Sequence, residues 1–127
     1  MNLFERADIK LHSGERSDFK IECDALTDAD LETIAYLISK RYSPIMSAYG
    51  VPTGGRRLEM ALKDYTVDTK KGYILIVDDV LTTGNSMEEF KKEIVPVDHY
   101  DVCKGVVIFA RGKCPDWIEP IFQMWEN

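Results

Sequence analysis

Residues 74–77, Ile-Leu-Ile-Val, limit what this chain can become more than any other stretch. Consecutive apolar residues, mostly β-branched, read as a strand buried on both faces, the pattern of a parallel sheet. Two carboxylates, Asp78 and Asp79, follow at the expected end of that strand. Then come Thr82, Thr83, Gly84, Asn85 and Ser86, and after them a helix-forming stretch over residues 87–94. A small-residue turn between a buried strand and a helix leaves backbone N–H groups pointing outward, and such a turn holds an anion, most often a phosphate. Two acids beside that cradle would repel the phosphate unless they bind something else. Sugar hydroxyls and Mg²⁺ are the natural candidates for hard carboxylate oxygens. A ligand with a phosphate, a vicinal diol and a bound metal satisfies every part of the site.

Two plainer readings compete. A Val-Asp-Asp step after an apolar strand also opens the receiver domains of two-component signalling. Those place the acids near the N-terminus and need a later strand ending in a phospho-acceptor aspartate, whereas the later strand here, residues 106–110, ends in Arg111. A structural strand–turn–helix with coincidental acids leaves adjacent carboxylates unpaired, which costs folding energy.

The length of 127 residues bounds the chain to a single domain, 1–127, with a real core and little room for a second module. A formal net charge of −6 argues against a nucleic-acid partner, and it requires that an anionic ligand be held by local devices rather than by the overall field. Cys23, Cys103 and Cys114 form no Cys-x-x-Cys pair and fit a reducing cytoplasm. No apolar run approaches membrane-spanning length, and the N-terminus lacks a signal-peptide core. Neither His12 nor His99 has ligand partners at metal spacing. These features predict a soluble cytoplasmic protein without a membrane partner.

Along the chain, residues 9–23 alternate around Ser13-Gly14 and predict a β-hairpin or two short strands, with Phe19, Ile21 and Cys23 on one face. Thr27 with Asp30 three residues on predicts a capped helix, whose apolar stripe is Leu31, Ile34, Leu37 and Ile38. Residues 45–51 predict a strand that delivers Pro52, Thr53, Gly54, Gly55, Arg56 and Arg57 to the same edge as Asp78. Two glycines permit close approach of backbone to an anion, and the arginines can neutralise it; a turn with two solvated arginines is the alternative. A helix over 58–65 and a short polar linker, 66–72, lead into the central strand. A loop over 95–100, the strand 106–110 and the segment Arg111 to Trp117 complete the chain before residues 118–125. The fold class is α/β, a doubly wound and mostly parallel sheet with flanking helices and a small N-terminal β hood.

Residues 74–86 resemble, without a gap, the motif that binds phosphoribosyl pyrophosphate (PRPP) in the type I phosphoribosyltransferases. The pattern Leu-x-Ser-Gly-x-x-Ser over residues 11–17 is similar to the hood of the orotate branch, which closes over the nucleobase. Hood, pyrophosphate turn and PRPP motif occur in that branch's order, so residues 1–25 read as hood and 26–127 as PRPP-binding core. The chain departs from the family at 66–72, where catalytic members carry a hairpin with a long flexible loop. Lys70 and Lys71 are either a remnant of that loop's basic residues or a solvated turn.

The resemblance implies a Mg²⁺-dependent glycosyltransferase, commonly a dimer, that joins the ribose 5-phosphate of PRPP to a nucleobase and releases pyrophosphate. Asp78 and Asp79 would hold the ribose hydroxyls and the Mg²⁺ shell. Thr82, Thr83, Gly84, Asn85 and Ser86 would hold the 5′-phosphate, and Thr53, Gly54, Gly55 and Arg56 the pyrophosphate. His12, Phe19, Glu88 and Trp117 are the candidates at the base, Trp117 being equally readable as an aromatic that closes the core. His12 and Glu88 stand where the orotate branch has a lysine and an arginine, so a base presenting an amino group to Glu88 would suit better than orotate. The other class of function is a lid-less protein that binds PRPP or a nucleotide for regulation.

Overall fold

The computed structural model describes residues 2–10 and 16–124. Strands β1 (Phe4–Lys10) and β2 (Arg16–Ile21) pair antiparallel, so the expected hairpin forms, with its ladder starting as early as Phe4 opposite Ile21. The Ser13-Gly14 turn and His12 lie outside the described residues, and Phe19 is described by its backbone alone. Cys23 does not share the strand face with Ile21. It lies in a 3-10 turn, Cys23–Ala25, because the chain leaves the ladder at Glu22 to reach the first helix.

Helix α1 (Asp28–Arg41) begins with the expected reciprocal cap: the Asp30 N–H donates to Thr27 Oγ1 at 3.1 Å, and the Thr27 N–H to Asp30 Oδ2 at 2.8 Å. Its buried stripe is Leu31, Ile34, Ala35 and Ile38. Leu37 is 46% exposed, contrary to expectation. It sits about 120° around the helix from Leu31, off the core-facing side, and Ala35 takes the place in the stripe.

Four parallel strands form the main sheet in the order β3 (Ile45–Gly50), β4 (Tyr73–Leu81), β5 (Cys103–Ala110), β6 (Ile118–Gln123). Helix α2 (Arg56–Leu62) joins β3 to β4, and α3 (Asn85–Ile94) joins β4 to β5. The core is double-sided. On one face Leu75, Val77, Val106 and Ile108 pack against α1 and α2; on the other, Ile74, Ile76 and Val107 pack against Met87 of α3. The apolar run 74–77 therefore divides its side chains between two cores, which is why it reads as continuous rather than alternating.

Helices α2 and α3 cover opposite faces of the sheet. After α2 the chain does not pass straight to β4: it first makes a parallel bridge from Thr66 to Ile45, on the side of β3 away from β4. Strand β4 is also longer than its apolar run: Asp78 pairs with Val107 and Val80 with Phe109, so the two acids are ladder residues rather than the start of a loop. The sheet edge rises past the helices there, and burial falls from complete at Val77 to partial at Asp78. Helix α2 starts at Arg56, two residues early, and gives way to a 3-10 turn, Lys63–Tyr65. Strand β6 follows β5 without an intervening helix, and its Pro120 is tolerated because this is an edge strand.

Candidate functional site

The acids and the small-residue turn meet at the carboxyl edge of the sheet, where open α/β folds bind ligands. A cavity of about 920 Å³ opens there, lined by Asp78, Asp79, Thr82, Thr83, Gly84, Asn85 and Ser86 together. Asp78 Oδ1 accepts from the Asp79 N–H at 2.9 Å, and Asp79 Oδ1 accepts from the Val80 N–H at 2.7 Å, which fixes both carboxylates. Burial, and then the charge of Asp79, push the Asp78 carboxyl up to about 7. Two half-buried acids side by side are an unfavourable pair alone and a favourable one around sugar hydroxyls or a cation.

The turn is built for close approach. Gly84 has φ 89°, the left-handed region that only glycine enters at no cost, and it opens α3 without any side-chain cap. A Cβ there would lie 3.1 Å from Pro115 Cγ, a tight approach that adds to the demand of the positive φ. The Asn85 N–H donates to Thr83 Oγ1 at 3.3 Å. The first N–H groups of α3 have no carbonyl one turn earlier to receive them, and the helix dipole favours an anion at this end.

The second turn contributes less than its sequence suggests. Thr53 and Gly54 line the cavity, and the Pro52–Thr53 peptide is cis. A Cβ on Gly54 would come within 2.6 Å of both Asp79 carboxylate oxygens, so the absence of a side chain there is what seats Asp79. Gly55 and Arg56 do not line the cavity. The Gly55 N–H donates to Val51 O at 2.8 Å and the Arg56 N–H to Thr53 O at 3.1 Å, so the turn consumes its own donors. A Cβ on Gly55 would meet Val77 O at 2.4 Å, which makes it a packing glycine. The Arg56 guanidinium faces Glu59 at 3.9 Å, and Arg57 donates to Leu26 O at 2.8 Å and lies 3.3 Å from Asp28, pinning the hairpin exit to α2.

Of the residues expected at a base, Glu88 and Trp117 come together, away from the cavity lining. Trp117 Nε1–H donates to Glu88 Oε1 at 2.5 Å, and Trp117 packs on the α3-side core. Lys20, Ile21 and Arg111 do line the cavity and went unassigned in the sequence. Lys20 is ion-paired with Glu22, which holds its ammonium charged. Arg111 had a legible signal, since it directly follows a buried strand and so falls on the binding edge. Lys20 had none, because its position depends on how the hairpin leans over the sheet.

A second cavity of about 410 Å³ shares Thr53, Gly54 and Asp79 with the first and continues under the 3-10 turn to Cys23 and Leu26. Burial, reinforced by Asp79, pushes the Cys23 thiol up to about 12, so it is a neutral donor there. Lys70 and Lys71 lie in the connector that enters β4 at Tyr73, at the opposite end of the strand from the acids. That connector is tied down where the Val67 N–H donates to Ile45 O at 2.9 Å.

Among the described residues no three His, Cys, Asp or Glu side chains converge as a metal cluster. The paired carboxylates nonetheless fit Mg²⁺, which is commonly held by one or two carboxylates together with substrate phosphates. Among the described residues no helix is long and apolar enough to cross a membrane.

No protein-family model and no characterised protein sequence matches the chain. Solved structures do. An orotate phosphoribosyltransferase from Aeropyrum pernix superposes with a TM-score of 0.72 at 22% identity, over 95% of this chain and 88% of that one. A UMP synthase from Leishmania donovani gives 0.70 at 16%, over 95% of this chain and 33% of that one. The Mycobacterium tuberculosis orotate phosphoribosyltransferase, bound to inorganic phosphate, gives 0.59 at 15%, over 94% and 87%. At these identities the likeness is one of architecture: this chain has the fold of the type I phosphoribosyltransferases.

Proposed function

We propose that the protein transfers the ribose 5-phosphate group of PRPP to a nucleobase. The observation that carries this reading is the convergence of the adjacent acids and the phosphate-type turn on one cavity at the carboxyl edge of the sheet. A base nitrogen attacks C1 of the ribose, the bond from C1 to the pyrophosphate oxygen breaks, and pyrophosphate leaves with the electron pair. The proton of the attacking nitrogen passes to solvent. Positive charge grows on the ring as the bond breaks, and Asp78 and Asp79 stabilise it while accepting from the ribose hydroxyls. Thr82, Thr83, Gly84, Asn85 and Ser86 hold the 5′-phosphate, and Thr53 and Gly54 lie beside the leaving group. Asp78 and Asp79 would hold Mg²⁺, which would supply positive charge against the pyrophosphate.

The base is best read as anionic and orotate-like. Glu88, the residue that argued against a carboxylate, is engaged with Trp117, whereas Arg111 and the Glu22-paired Lys20 line the cavity. The second reading is a PRPP- or nucleotide-binding regulatory protein. It is favoured by the 66–72 connector, which lies at the wrong end of the sheet to act as a lid. In the first reading the lid would come from a second copy of the chain in a homodimer.

The test is pyrophosphate release from PRPP and Mg²⁺ over a panel of bases. Turnover with one base, reduced by a hundredfold or more in Asp78→Asn/Asp79→Asn, is the expected outcome, that being about the scale of losing one preorganised charge. Silence with every base, alongside protection of the fold by PRPP, turns the assignment to the binding protein.

A further inference from the structure

Helix α3 carries the phosphate turn on its first residues. Met87 is buried and Phe90 packs against the same core, while the N-cap residue, Gly84, has no side chain and Thr83 Oγ1 accepts only from the Asn85 N–H. Both apolar anchors face the sheet, and a tilt about them moves the N–H groups at the start of the helix. The connection between β5 and β6 supplies a further anchor. Trp117 Nε1–H reaches Glu88 on the first turn of α3. Lys91, one turn further on, lies 3.7 Å from Glu88 and 4.0 Å from the centre of the Trp117 ring, with Tyr100 at 4.8 Å on it as well. Its side chain is only 13% exposed, a depth at which a cation–π contact has lost much of its competition from water. The same connection closes on the turn itself, through Pro115 against Gly84.

Charge placement points the same way. An acid on the first turn of an anion-binding helix opposes the anion. Trp117 and Lys91 hold Glu88 outside the cavity lining and neutralise it there. We propose that Trp117, acting through Glu88 and Lys91, is a positioning residue for the phosphate turn: a strut that fixes α3 so that Gly84, Asn85 and Ser86 stay aimed at a phosphate. The proposal rests on the phosphate reading of that turn. Trp117 itself lies outside the cavity lining.

Trp117→Phe keeps a ring beneath Lys91 and removes the N–H donor. The full chain is titrated with ribose 5-phosphate and, separately, with pyrophosphate and Mg²⁺. The variant is expected to bind ribose 5-phosphate about three- to tenfold more weakly, the scale of one hydrogen bond, with pyrophosphate affinity unchanged. Glu88→Ala should behave alike, and Glu88→Gln, which still accepts from the indole, should restore most of the affinity. A residue that only stabilises the fold would lower the unfolding midpoint and leave both affinities alone, or weaken both equally; either result overturns the strut. Should Trp117→Phe fail to fold, the Glu88→Ala and Glu88→Gln pair decides the same question. Wild-type protein that binds pyrophosphate but not ribose 5-phosphate overturns the phosphate reading and the strut with it. Equal binding of ribose 5-phosphate by wild type and variants overturns the strut alone.

Discussion

Asp78 shows how one side chain links the site to the fold. Its carboxyl is pushed up to about 7, first by burial and then by Asp79, well above the ordinary carboxylate range. The folded state therefore binds this proton more tightly than the unfolded chain does. The stability it contributes is fully present below the ordinary carboxyl range and is lost as pH rises through the raised value. Mg²⁺-free protein should accordingly melt at a lower temperature at about pH 8 than at about pH 5.5, and Asp78→Asn should flatten that difference. Thermal unfolding of both proteins across the range checks it; a slope unchanged in the variant would remove Asp78 as its source. Asp79 depends in turn on Gly54, whose missing Cβ is the space its carboxylate occupies. Asp79 is thus seated by a residue from a different strand–turn unit.

At the scale of elements, α1 and α3 are held by different means. Helix α1 has a reciprocal cap and a four-residue buried stripe, all of it local in sequence. Thr27→Ala should cost about 1 kcal/mol in chemical denaturation, the usual loss for an N-cap, and leave ligand affinities untouched because α1 stays clear of the phosphate turn. Helix α3 opens on a glycine, with Thr83 Oγ1 accepting only from the Asn85 N–H. The β5–β6 connection adds the Trp117–Glu88 contact to the hold that Met87 and Phe90 have on the core. Helix α2 is held by Leu58 and Leu62, both buried in the core shared with α1, and the chain after it bridges to Ile45 at Thr66 before entering β4.

For the whole molecule, the decisive feature is which edge of the sheet each connection occupies. Acids, phosphate turn, Thr53–Gly54 turn, Lys20 and Arg111 gather at the carboxyl edge, while the 66–72 connector lies at the other. A reacting centre without a cover admits water, and an oxocarbenium-like ring is captured by it. If the protein turns over as a monomer, ribose 5-phosphate should accumulate beside the nucleotide in a product assay, in a proportion independent of protein concentration. A proportion that falls as protein concentration rises would show a second copy closing the site.

The sequence by itself determined the central strand, the small-residue turn and the cap of α1, because each is encoded by neighbours: an apolar run, a left-handed glycine, a Thr and an Asp three residues apart. It also grouped Asp78, Asp79, Thr82, Thr83, Gly84, Asn85 and Ser86, which line one cavity, since a strand running into a helix can present its turn at one edge only. Tertiary structure decided the rest. Only packing could show that Glu88 is taken by Trp117, 29 residues away, that Gly55 and Arg56 serve the turn rather than the cavity, or that Lys20 and Arg111 both line it. Those outcomes depend on which surfaces meet when hairpin, sheet and connection fold together, and spacing along the chain does not carry that information.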